Sequence, residues 1–83
     1  MLFCTITHWD RTKPWNQGMA IDEKVLKMVS QGKTDGTMTE MPSPDPNVRI
    51  RSRKWNTLES AQEWLDYLNS LNNPPLKIDL VQE

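Results

Sequence analysis

"VRIRSRKW", residues 48–55, carries an arginine at every second position and ends on a tryptophan. Alternation with period two marks a strand, because successive side chains of an extended chain point to opposite faces. One face then reads Arg49, Arg51, Arg53 and Trp55, the other Val48, Ile50, Ser52 and Lys54. The flanks agree with this reading. Before it, "PSPDPN" at 42–47 has three prolines at alternate positions and cannot join a ladder, since proline lacks the N–H donor. It reads as a hairpin connection from a short strand, "TMTEM", at 37–41. After it, Thr57 is a good N-cap. "LESAQEWLDYLNSLN" then sets Leu58, Ala61, Trp64, Leu65, Leu68 and Leu71 along one helical stripe, the strongest helix signal in the chain. Asn72-Asn73-Pro74-Pro75 ends it, because the residue before a proline leaves the α region.

Working outward, "LFCTITHW" at 2–9 alternates and is rich in β-branched and aromatic residues, so it predicts a strand. Leu2, Cys4 and Ile6 share one face, with Phe3, Thr5, Thr7 and Trp9 on the other. A loop follows, punctuated by Pro14 and Gly18, where Pro14 also suits the first position of a short helical turn. Ile21, Val25, Met28 and Val29 form the apolar face of a helix over 19–31, and Gly32 is its stop. "LKIDLV" at 76–81 alternates again. The order β-α-β-β-α-β is the split βαβ, or ferredoxin-like, α+β fold. It predicts one domain over 1–83, with both helices on one face of a four-stranded antiparallel sheet. The face with more aliphatic side chains, Leu2, Cys4, Ile6, Val48, Ile50, Leu76, Ile78 and Leu80, is expected to meet the helices. The arginine face, with Phe3, Thr5, Thr7, Trp9, Lys77, Asp79 and Val81, is then expected to be open.

A chain of 83 residues buries only about 60% of its unfolded surface, so its stability needs help. One cysteine excludes an internal disulfide, and one histidine with one cysteine falls short of a structural zinc set. Oligomerisation is the remaining common route. A net charge of −1 provides no global attraction to nucleic acid or to an anionic membrane. No signal peptide and no membrane-length apolar run is evident. The expectation is a soluble cytoplasmic protein with a reduced thiol, and with no cofactor or metal.

"RKWNTLESAQEWLDYL" resembles the dimeric α/β-barrel superfamily of the antibiotic-biosynthesis-monooxygenase type. The resemblance rests on Trp55 near the end of the third strand, on Thr57 capping the following helix, and on Ala61 and Trp64 within it. It implies a ferredoxin-like domain whose sheet packs against that of a second copy to form a barrel. Some members of that superfamily are cofactorless oxygenases and some cleave haem. The haem-degrading relatives pair a first-strand Asn, the third-strand Trp and a His late in the second helical region. Trp55 matches the Trp, but "LFCTITHW" has no Asn and no His follows position 8.

The candidate residues can be weighed one by one. His8 beside Trp9 suits a general base at a pocket mouth, yet no orienting partner is identifiable, which favours a strand-end histidine. Cys4 reads as a small hydrophobe rather than a nucleophile. Glu59, Glu63 and the other helical carboxylates read as solvated surface. Trp9, Trp15 and Trp55 are candidates to line a ligand pocket. For the arginine face two readings compete. In one, aromatics and arginines bind single-stranded RNA on an open sheet, against a net charge and an Asp79 that disfavour phosphate. In the preferred one, Phe3, Thr5, Arg49, Arg51, Arg53 and Asp79 lie in a homodimer interface. A contact with another protein remains a further option. The sequence thus points to a small binding or accessory protein acting as a homodimer. The alternative is a cofactorless monooxygenase-like enzyme with Trp55 and His8 as catalytic candidates, and Trp55 alone is compatible with either.

Overall fold

The stretch 48–55 is a strand, and it is paired on both sides. The computed structural model describes residues 2–13 and 17–83. The elements are β1 (Phe3–Asp10), α1 (Gly18–Ser30), β2 (Met38–Met41), β3 (Val48–Trp55), α2 (Leu58–Asn69) and β4 (Lys77–Gln82). The strands lie in the order β2-β3-β1-β4, with every pairing antiparallel. This is the ferredoxin-like α+β fold that the pattern predicts.

Local chemistry explains the element ends. Gly32 sits at φ +72°, a left-handed conformation that glycine adopts without Cβ strain. Its N–H donates to the Val29 carbonyl and the Lys33 N–H to the Met28 carbonyl, the pair of bonds that closes a Schellman motif. Thr57 is extended, and its hydroxyl accepts from the Ser60 N–H, so α2 starts where the cap places it. The same helix ends at Asn69 rather than at the Asn-Pro run. The Ser70 N–H and hydroxyl both turn back to the Tyr67 carbonyl, at 3.0 and 2.6 Å, which satisfies a terminal acceptor early. The possible helical turn at Pro14 lies outside the described residues.

The faces are the reverse of the expectation for β1 and β3. Phe3 pairs in register with Trp55, Thr5 with Arg53, Thr7 with Arg51 and Trp9 with Arg49. That set meets the helices: Trp55 is 0% exposed and Thr5 is 1% exposed. Both helices feed one core, in which Ile21, Val25 and Met28 of α1 join Ala61, Trp64 and Leu68 of α2 and the two strand tryptophans. Cys4, Ile6 and Ile50 lie on the open side. On β4 the aliphatic side does face the helices, because Leu80 pairs with Thr5 and Ile78 with Thr7. Lys77, Asp79 and Val81 are opposite His8, Ile6 and Cys4 on the open face, not alongside the arginines.

Aromatic area and hydrogen bonding together account for the reversal. A tryptophan, tyrosine or phenylalanine buries about 150–250 Å², so Phe3, Trp9 and Trp55 outweigh the smaller aliphatics of the other face. A buried indole also needs an acceptor for its N–H. Trp55 donates to the Thr5 hydroxyl at 2.8 Å, and Trp9 donates to the Thr7 hydroxyl at 2.9 Å. The threonines that made this face look polar are the acceptors that let the tryptophans go inside.

Candidate functional site

The tryptophan group does not form one pocket. β1 and β3 are antiparallel, so Trp55 lies beside Phe3 while Trp9 lies six pairs away beside Arg49, a separation of roughly 20 Å at strand rise. Trp55 is sealed: its indole stacks on Trp64 with ring centroids 5.1 Å apart, and Trp64 stacks in turn on Tyr67. Trp15 lies outside the described residues. His8 is on the open face, between Ile50 and Lys77 in register, so the two catalytic candidates occupy opposite faces and opposite ends. Its Nδ1 is buried without a hydrogen-bond partner. Of the two described tryptophan candidates, Trp9 is the one that reaches the lining of a cleft.

The arginines lie on the helix-covered face and are half-buried, because their stems pack inward while their heads reach polar groups. Glu40 of β2, the cross-strand partner of Arg51, meets both Arg51 at 3.0 Å and Arg49 at 3.3 Å. Arg51 donates to that carboxylate oxygen, whereas the Arg49 Nε–H is buried and not aligned with it. The Arg53 guanidinium lies over the Trp64 ring, 5.5 Å from its centroid, a cation–π geometry. Burial and the charge of Arg51 push Arg53 below its ordinary value, and Asp22 counters them. Phe3, Thr5, Arg49, Arg51 and Arg53 therefore belong to the intramolecular side of the sheet. Asp79 is the one member of the expected interface set that lies on the open face. An RNA platform of outward aromatics and arginines is absent for the same reason.

What the sheet presents outward is an apolar row among polar side chains that include His8, Thr39 and Ser52. Cys4, Ile6 and Ile50 are half-buried there, and Leu2, Met41 and Val81 are exposed. The charges around them come in pairs, Lys54 with Glu83 at 3.4 Å and Lys77 with Asp79 at 3.7 Å. Burial, and then the Glu83 carboxylate, push the Cys4 thiol up, so it is a protonated apolar group and not a nucleophile.

Glu63, expected to be a solvated carboxylate, instead ties the two helices together. It accepts from Lys33 at 2.6 Å and from Lys24 at 3.0 Å, and the Lys24 ammonium lies over the Tyr67 ring. The Lys33 and Lys24 hydrogen bonds hold its carboxyl below the usual range. A depressed carboxylate pKa means stabilisation that is present above about pH 4.3, the free value, and lost as pH falls through the folded value. The Glu63 side chain is 36% exposed, so solvent screening limits its worth to about 1 kcal/mol or less. Chemical denaturation of Glu63→Gln should show that deficit at pH 7, shrinking as the pH is lowered through the acid range. A deficit unchanged at the acid end would mean that packing, not charge, is responsible. Among the described residues no His, Cys, Asp and Glu group is placed to hold a metal, and no helix is long and apolar enough to cross a membrane.

The backbone as a whole defines the class: a ferredoxin-like α+β domain with one sheet face covered by helices and one open. In fold, the chain is similar to a solved structure from Chloroflexus aurantiacus J-10-fl that is provisionally named an antibiotic biosynthesis monooxygenase. The superposition covers 100% of this chain and 93% of that one, with a TM-score of 0.50 and 14% sequence identity. The resemblance to that superfamily thus holds at the level of the fold. No protein-family profile and no curated protein matches the sequence.

Proposed function

We propose that the protein is a small cytoplasmic binding protein that acts as a homodimer, two copies joined through their open sheet faces. The observation that carries this reading is the apolar row Cys4, Ile6, Ile50, Met41 and Val81 that runs across all four strands of that face, with Lys54 and Lys77 each paired to a carboxylate. A two-fold interface sets a surface against itself, so a single-sign face would repel its copy, and this one is close to balanced. Size supports the reading too. At about 3.4 Å per residue and about 4.8 Å between strands, strands of these lengths present a flat footprint of roughly 400 Å². Two such faces with side-chain relief bury on the order of 1,000 Å², the lower bound for a specific interface. The association supplies the stabilisation that a chain of 83 residues needs. The interface set is therefore the aliphatic row with Asp79 at its margin, rather than the arginine row. Sedimentation velocity at micromolar concentration tests it: a dimer is expected, and a monomer throughout that range overturns the reading.

The oxygenase alternative has less to stand on. Trp55 is sealed under Trp64 and cannot touch a substrate without the core opening, and His8 is on the other face of the sheet.

A further inference from the structure

The end of the sheet at Trp9 opens into two adjoining clefts that share Trp9, Asp10 and Lys13. The larger, about 370 Å³, lies between the end of β1, the residue before α1 and the α2–β4 connection. Gln17, Asn72, Asn73 and Pro75 are among the residues that line it. Its wall is preformed: the Gln17 side chain donates to the Asn73 carbonyl at 2.7 Å and accepts from the Asn73 N–H at 3.3 Å. The smaller, about 220 Å³, adds Arg11 and Arg49.

The two lobes differ in chemistry. The smaller brings three cations together in a chain whose net charge is −1. The Asp10 carboxylate in it stays anionic, one oxygen accepting from the Thr12 N–H at 2.9 Å and from the Thr12 hydroxyl at 2.6 Å, so the three cations outnumber the lining's one carboxylate. Glu40, the other carboxylate near Arg49, is shared with Arg51, and the Arg49 Nε–H has no aligned acceptor. Two guanidiniums and an ammonium lining one cleft suit a dianionic phosphate, which accepts from Arg forks at several oxygens. The larger lobe has the side-chain amides of Asn72 and Asn73, which exchange hydrogen bonds with hydroxyls, beside Pro75 and the exposed edge of Trp9. Its volume is within the range of small-molecule sites.

We infer that this paired cleft binds a phosphate monoester of a small polyhydroxylated molecule, the phosphate among Arg11, Lys13 and Arg49 and the hydroxylated body against the amides. The site is independent of the homodimer reading, since it is built from one chain and its occupancy is measured apart from oligomeric state. Titration of the ¹⁵N-labelled protein with glucose 6-phosphate at constant ionic strength tests it. Saturable shifts are expected at Asp10–Lys13 and at Asn72–Leu76, with a dissociation constant below about 1 mM. Inorganic phosphate should bind at least tenfold more weakly, and glucose should not saturate. Arg11→Glu and Lys13→Glu change exposed side chains, so the fold is spared, and each should weaken the sugar phosphate at least tenfold, about 1.4 kcal/mol. Absence of saturable shifts at these residues, indifference to both charge reversals, or equal affinity for inorganic phosphate would each overturn the assignment.

Discussion

Trp64→Ala is expected to lower the unfolding free energy by roughly 3–5 kcal/mol, the range for removing a large aromatic from a packed core. Trp64 is 2% exposed and sits at the centre of a stack, 5.1 Å from Trp55 and 5.8 Å from Tyr67 between ring centroids. Arg53 lies over the same ring, so the change also strips a half-buried guanidinium of its cover. A domain of this size commonly has a total stability of about 5 kcal/mol or a little more, and the variant should be largely unfolded near body temperature. Urea denaturation followed by far-ultraviolet circular dichroism measures the loss. A cost below about 1 kcal/mol would show that α2 does not anchor the sheet through this residue.

Ile50→Lys is expected to weaken the proposed dimer strongly while leaving the fold intact. Ile50 lies on the open face with His8 and Met41 as its cross-strand neighbours, so no carboxylate is directly opposite to neutralise an added ammonium. In a single copy the new charge remains in water. In the proposed two-fold dimer it would be buried twice, once from each subunit. Dimerisation should weaken at least a hundredfold, about 2.7 kcal/mol, as read by sedimentation, with thermal unfolding of the monomer as the check on folding. Arg51→Glu is the contrasting variant. It places a second carboxylate against Glu40 on the helix-covered face, so it should cost fold stability and alter dimerisation only through that loss. Should Arg51→Glu dissociate a fully folded protein and Ile50→Lys leave the dimer unchanged, the association surface would be the wrong one.

The element order was legible because each boundary has a local chemical cause. The prolines at 42, 44 and 46 cannot join a ladder, Thr57 caps a helix, and Gly32 accepts a left-handed backbone. The stripe Ala61, Trp64 and Leu68 was legible for the same reason, since helical periodicity is a property of consecutive residues. The candidate site was less so. Trp9 was found, but its link to Trp55 failed, because an antiparallel pairing puts the ends of two strands at opposite ends of the sheet. The roles of Glu63 and Gln17 gave no signal, because their partners are 30 to 56 positions away in the chain.

The sequence by itself determined the alternation of β1 and β3, the two helices and their apolar stripes, and so the topology of the fold. Only the tertiary structure decided which face of those two strands went inside. A period of two divides a strand into two faces but does not rank them. The ranking came from burial and from hydroxyl acceptors for the indoles: Trp55 reaches Thr5 diagonally across from β3, and Trp9 reaches Thr7 two residues back on its own strand. With the aromatics satisfied inside, the aliphatic row of Cys4, Ile6 and Ile50 was left outward.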